Sequence, residues 1–426
     1  MLAGSCARSI HWPNSSRGAE RLNPSLGQVS RALLRPLRVR IASVGVLSTH
    51  GRGMAPLVAG IRAGSCPVVP ADGIGYPSQA LPQVSRFPMA APQLGEAGAA
   101  ARLLEVVEQA LGEAHTSEDA LRAEEFGLVV GTAGFLYASS AEIYGRAMGT
   151  LPDETPVCVR GPSWGVALIA ERFGLRGPCL TVSSGCTSSA NALLIAAEMI
   201  ERGRVRRVLV VGAEELSAVT LSGFDSLMLL DPACCRPFDR DRQGIQIGEG
   251  ITAMVLEADG EADAGAGGAG KFARVRGGAN RCDSDRLTSA NPDGSVIRDA
   301  MLEAMASAGI CAADVVAVKT HGAGSTDSDR AEAAALRAAF GAALPPLLAL
   351  KRYVGHTLGA CGTLETAALM GCVADGFLPA AAGFNVVDPE LGVTPLREAV
   401  PARSGHYLLN FFGFGGNYTS LVLELG

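Results

Sequence analysis

From residue 38 onward, short runs of consecutive apolar residues alternate with longer stretches whose apolar positions recur every three or four residues. "RVRIASVGVLS" (38–48) predicts a strand ending in turn residues, and "AARLLEVVEQALGEA" (100–114) a helix with Leu103, Val107, Ala110 and Leu111 on one face. The strand "FGLVVGT" (126–132), the helix "GVALIAERFG" (165–174) and the strand "CLTVS" (179–183) follow. A helix running to about Arg202 comes next, then strands at 207–215 and 250–258. Beyond residue 270 the alternation resumes, with a strand in "KFARVRGGA", a helix near 295–309, the strand "VVAVKTHG" and helices near 328–340 and 358–375. The closing strands are "HYLLNFF" and "YTSLVLEL". Such alternation predicts an α/β layered fold.

The low-complexity segment "DGEADAGAGGAG" (259–270) interrupts this pattern and reads as a flexible connector between an N-terminal half, 38–258, and a C-terminal half, 271–426. The halves fit a duplicated unit, although their sequences are too dissimilar to establish one. Residues 1–39 stand apart, with six arginines, one acid (Glu20) and several serines. Two readings fit: an organelle transit peptide, or a disordered or over-extended leader covering 1–37. The whole chain has a formal charge of −6, so the remainder without this segment is near −11. An acidic partner must therefore dock on a local basic patch.

With 48% apolar and 18% charged residues, 53 glycines and few aromatics, the chain is expected to pack small side chains closely. Eleven cysteines without a secretory signal or metal-like spacing read as free thiols in a reducing compartment, which suggests the cytoplasm. No apolar run approaches the ~18 residues of a spanning helix, so a soluble protein is expected. With no phosphate-binding glycine loop and no metal-ligand cluster, no cofactor is expected, nor a nucleic-acid or membrane partner.

Candidate chemistry begins at "TVSSGCTSSANALLIAAEMI" (181–200), where Cys186 lies between an apolar strand and an apolar helix. The free N–H groups of a helix start favour thiolate over thiol, so a cysteine here is expected to be nucleophilic near neutral pH. A buried structural cysteine fits the stretch equally well. Two of the six histidines fall in glycine-bearing loops, His321 in "VKTHGAGSTDSDRAE" and His356 in "LKRYVGHTLGACG". The chain has only three lysines, Lys271, Lys319 and Lys351, and Lys351 lies five residues before His356. In "NFFGFGGNYTSLVLE" (410–424) glycines flank Phe414, which allows its amide to approach a site; a plain glycine hairpin is the alternative.

Taken together, these segments resemble the β-ketoacyl-acyl-carrier-protein synthases, elongating condensing enzymes of thiolase fold. The likeness runs over 38–426 through five motifs in the family's order: "SSGCTSSA", "RPFDRDRQGIQIGEG", "THGAGSTDSD", "KRYVGHTLGACG" and "NFFGFGGN". It implies two similar βαβαβαββ halves in a five-layer α-β-α-β-α arrangement. It also implies that Cys186 accepts the acyl group and that His321 and His356 serve decarboxylation and condensation. Lys351 and Glu332 would orient His321, with Asp329 in support. The amides of Cys186 and Phe414 would form the oxyanion hole, and Gly413, Phe414, Gly415 and Gly416 a gating loop. The implied partners are acyl and malonyl forms of an acyl carrier protein and, across a two-fold, an identical or related subunit. Arg236 is the implied carrier-docking residue, with Arg202, Arg204, Arg206 and Arg207 as a second patch.

The chain departs from the family at "GAGS", at Gln243 where an aspartate is usual, and at Arg352 and Tyr353 beside the site. These departures suggest a specialised pathway, such as aryl polyene or other polyketide-like lipid synthesis. A thiolase would place a second cysteine where Phe414 stands, and an initiating enzyme an asparagine for the second histidine. A non-catalytic chain-length-factor subunit would lack the nucleophile.

Overall fold

The computed structural model describes residues 36–72, 82–88, 96–134, 149, 161–259, 273–286 and 288–426. The expected leader (apart from residues 36 and 37) and nearly all of the expected connector lie outside them.

The main path of the large sheet takes five strands from the N-terminal half: β1 (Val39–Ser48), β2 (Phe126–Gly131), β3 (Cys179–Val182), β4 (Arg207–Glu214) and β5 (Gly250–Ala258). Five come from the C-terminal half: β6 (Ala273–Cys282), β7 (Val315–Lys319), β8 (Leu347–Leu348), β9 (Gly405–Gly413) and β10 (Asn417–Leu425). Neighbours run β3-β2-β4-β5-β1 in the first set and β8-β7-β9-β10-β6 in the second. Counted by order of appearance, both read third, second, fourth, fifth, first. In each, the first three strands are parallel and the last two antiparallel. This shared topology supports the duplication that the sequence left open.

The two sets form one continuous sheet, because β1 pairs with β6 at Val39↔Val275 and Arg40↔Arg274. Strands β2 and β4 are buried almost throughout, as parallel strands covered on both faces must be, and this is why they read as unbroken apolar runs.

The helices used below are α1 (Met54–Arg62), α2 (Glu96–Glu113), α3 (Trp164–Phe173), α4 (Ser188–Glu201) and α5 (Ala218–Ser226). The C-terminal half adds α6 (Ser295–Ser307), α7 (Thr326–Phe340), α8 (Lys351–Val354) and α9 (Cys361–Ala374). Helix α2 packs on β1 and β5, and α3 on β2 and β3, while α6 covers β6 and β10 and carries α7. Helices α4 and α9 touch each other and strands of both halves, so they form the middle layer of the expected five. Nearly all of α9 is buried, and apart from Thr363, Glu365 and Thr366 its residues are apolar or small on every side. Its Gly362 lies against the α4 backbone; a Cβ there would sit 2.0 Å from the Ala190 nitrogen. This contact sets the N-terminal ends of α4 and α9 side by side.

The periodicity did not reveal α1, α5, α8 or the two-residue β8. These elements are too short for a repeat to accumulate.

Candidate active site

Cys186 lies in a 3-10 turn, Gly185–Thr187, between β3 and α4. Gly185 enters the turn at φ 62°, a conformation that glycine adopts without strain. Thr187 Oγ1 and Asn191 Nδ2 both donate to Asn417 Oδ1, at 2.5 and 3.1 Å, tying the turn to β10. The residue is 7% exposed, and the backbone amides of Phe414 and of Cys186 itself act on its thiol.

The expectation of a thiolate near neutral pH is not met in this arrangement. Burial pushes the Cys186 thiol up to about 12, and the Glu214 carboxylate adds to the rise. The Lys351 charge and the two amides oppose it and do not prevail. Desolvation of a buried sulfur outweighs the partial charge of a helix start.

His321 follows β7, and His356 lies in the turn between α8 and α9; both are 4% exposed. Their rings stand nearly perpendicular, with centroids 5.4 Å apart. The Phe412 N–H donates to His321 Nδ1 at 3.2 Å, and the Leu358 N–H to His356 Nδ1 at 3.3 Å. Cys361 Sγ also lies 3.0 Å from His356 Nδ1. A backbone donor on Nδ1 leaves Nε2 to carry the proton of each neutral ring. Burial, reinforced by the Lys351 and Lys319 charges, holds both imidazoles well below their ordinary value, so they are neutral.

Lys351 and Glu332, which the resemblance assigned to orienting His321, have partners other than its ring. The Lys351 ammonium is bound to Glu365, 2.5 Å from Oε1, because a buried cation requires a buried counter-ion. Glu332 accepts the backbone N–H groups of His321 (2.7 Å) and Gly322 (2.9 Å) and the Asn410 side-chain amide (3.1 Å). It fixes the loop and not the ring. Asp329 accepts N–H groups from Phe238 (2.7 Å) and Gly324 (3.1 Å), which joins the "RPFD" segment to the His321 loop.

Gly413 ends β9, and Phe414, Gly415 and Gly416 turn toward β10. Gly416 has φ 71°, and a Cβ on it would strike the Asp283 carbonyl, so only glycine fits. The Phe414 side chain is 42% exposed, with its ring 5.6 Å from that of Phe224 on α5. Cys186, His321, His356, Phe414 and the exposed Met228 line one cavity of about 200 Å³, and Gln243 lies on its wall.

Several site residues escaped the sequence reading. Glu365 is an acid inside an otherwise apolar helix, and Asn410 an amide inside the apolar run "LLNFF"; that contrast was the available signal. Glu214 accepts N–H groups from Ala133, Gly134 and Gly359 at 2.8–2.9 Å, and burial raises it to about 7. Arg236 is half-buried. Arg202, Arg206 and Arg207 are engaged by Glu198, Glu125 and Glu257.

A buried thiol sharing one cavity with two neutral imidazoles, its sulfur beneath two amide donors, defines an acyl-transfer site on a layered α/β fold. Profiles described as "Beta-ketoacyl synthase, N-terminal domain" and "Beta-ketoacyl synthase, C-terminal domain" match residues 88–262 and 272–385, and the chain belongs to this family. It is 30% identical over 415 residues to the tetracenomycin polyketide synthase ketoacyl synthase alpha subunit of Streptomyces glaucescens, covering 91% of this chain and 96% of that one. It is 35% identical over 274 residues to a putative polyketide beta-ketoacyl synthase 1 of Streptomyces cyaneus, spanning 62% of this chain and 64% of that relative. Among solved structures, a ketosynthase in complex with its chain length factor from Xenorhabdus doucetiae matches with a TM-score of 0.80 and 25% identity, over 92% of this chain and 98% of that one.

Proposed function

We propose that this chain condenses a cysteine-bound acyl group with malonyl-acyl carrier protein, releasing carbon dioxide. The observation that carries the reading is the meeting of Cys186, His321 and His356 in one cavity beneath the amides of Cys186 and Phe414. In the first step the Cys186 sulfur attacks an acyl thioester, and the carrier thiol leaves with the proton. In the second, malonyl thioester loses carbon dioxide, and the charge left on its oxygen is met by Nε2–H of His321 and of His356. The enolate carbon then displaces the Cys186 sulfur to give the β-ketoacyl thioester. The two amides hold the oxyanion of each acyl transfer.

The raised Cys186 thiol fits a resting enzyme that ionises only as substrate enters. Phe414 and Met228 give the cavity an apolar rim suited to an acyl chain. Arg236 is proposed as a docking residue for the acidic carrier protein, and the cytoplasm as the location. Among the described residues all cysteines are free, and no helix is long and apolar enough to cross a membrane.

A second reading makes this chain the active member of a pair with a chain-length-factor-like subunit. The Xenorhabdus structure favours it, as does the open edge strand β3, where Leu180 is 42% exposed. A specialised polyketide or aryl polyene pathway agrees with either reading.

Intact-protein mass spectrometry tests the reaction. Wild type and Cys186→Ala are incubated with a panel of acyl-carrier proteins, and malonyl-carrier protein is then added. An adduct on the wild type alone, discharged as a β-ketoacyl product, is the expected result. Absence of any adduct, even after co-expression with a related subunit, would exclude a condensing role.

A further inference from the structure

Two of the three lysines are fully buried, and both converge on one carboxylate. Lys319 ends β7, two residues before His321, with its ammonium 2.6 Å from Glu365 Oε2 and 2.8 Å from the Asn410 carbonyl. It also lies 3.6 Å from the centroid of the Phe411 ring. Lys351 takes the other oxygen of Glu365. Two ammoniums on one carboxylate leave a surplus positive charge in a group with no exposure to water. A surplus buried cation is costly, and an apolar residue of similar size would fill the position without that cost.

We propose that Lys319 is a positioning residue for the condensation site: bridged to Lys351 through Glu365, it supplies a second cation whose surplus charge keeps His321 and His356 neutral. Each Nε2–H is then free to meet an anion formed in the cavity. The inference rests on the two-histidine reading of the site given above.

Three observations support it. The burial that lowers both imidazoles is joined by the charges of Lys351 and Lys319, and Lys319 acts on each ring. No ring nitrogen contact is needed for this, because charges act across several ångströms of dry interior. Facing the Lys319 ammonium are Glu365 and Cys361 from α9, Lys351 from α8, and the Asn410 carbonyl and Phe411 ring from β9. Glu332 of α7 reaches the Asn410 side chain, and burial lifts it to about 7, so it supplies less than a full negative charge near neutrality. Burial and Lys351 bring Lys319 itself down to about 8 against the pull of Glu365, which confines the surplus charge to neutral and acidic pH.

The test follows the rings directly. Full-length protein with ¹³Cε1-labelled histidine is titrated by NMR as wild type, Lys319→Met and Lys319→Arg, with His321→Asn and His356→Asn assigning two of the six signals. In the wild type both signals should stay neutral down to the acid limit of the fold. In Lys319→Met they should begin to protonate about one pH unit higher, and Lys319→Arg should restore the wild-type behaviour. If Lys319→Met does not fold, Lys319→Gln removes the charge while keeping an N–H donor for the Asn410 carbonyl. Signals that do not move in a folded, uncharged variant overturn the proposal. Carbon dioxide release from malonyl-carrier protein is followed in parallel. Release with unmoved signals sinks the charge role and leaves the condensing reaction standing, whereas moved signals with no release from any form, alone or co-expressed with a related subunit, support the charge role and remove the condensing reaction.

Discussion

Cys186, His321 and His356 owe their states to a contest between burial and a few fixed charges, and the contest is decided separately at each residue. Glu365 is the hub, because both buried ammoniums depend on it. Glu365→Gln leaves two buried cations without a counter-ion and is expected to cost about 3–5 kcal/mol, read as a lower urea midpoint. A loss below about 1 kcal/mol would mean that the cluster is relaxed or wet. The two histidines also make a signed prediction about pH. A ring held well below its ordinary pKa binds no proton in the folded chain, while the unfolded chain binds one below about 6.5. Stability from this source is present above pH 6.5 and is lost as the pH falls. Compared with wild type, His356→Asn should lose about 1.5 kcal/mol less between pH 6.5 and 5. Parallel stability curves for the two proteins over that range would contradict the neutral assignment.

Among the elements, the pairing of α4 with α9 organises the site. Each is preceded by a turn bearing a reactive group, Cys186 before α4 and His356 before α9, and the helices meet backbone to backbone at Gly362 and Ala190. A methyl group at Gly362 must separate the two helix starts. Gly362→Ala is therefore expected to lose about 1–3 kcal/mol and to slow alkylation of Cys186 by iodoacetamide at least several-fold. Wild-type alkylation in a destabilised variant would show that the turns keep their places without this contact. The Phe414 loop belongs to the same scale. It leaves β9 after Gly413, one residue beyond Phe412, whose N–H donates to His321, so a single strand end holds both this loop and one imidazole.

At the scale of the whole molecule, ten strands in two identically ordered sets share one sheet, with the reactive groups gathered at the middle layer. Among the described residues the sheet ends at β3, a short strand with no neighbour on its outer side and an exposed Leu180. Uncovered edges of this kind pair with other chains. Leu180→Lys is expected to leave the urea midpoint within about 0.5 kcal/mol of wild type and, if two subunits pair through this edge, to shift sedimentation velocity from dimer to monomer. A variant that stays dimeric would place the interface elsewhere.

The sequence by itself determined the alternation of strands and helices and the order of five motifs, and it singled out Cys186, His321 and His356 as the candidate reactive groups. Each of these is local, since an apolar period or a glycine-flanked cysteine is complete within some twenty residues. Tertiary structure alone decided which charges meet. Glu365 lies 46 residues from Lys319 and 14 from Lys351, and no periodicity links them. It also decided that Glu332 grips the backbone of His321, that the two halves share a sheet, and that burial overrides the helix start at Cys186. Desolvation and long-range pairing depend on what the rest of the chain packs around a residue, and a residue's sequence neighbours do not contain that information.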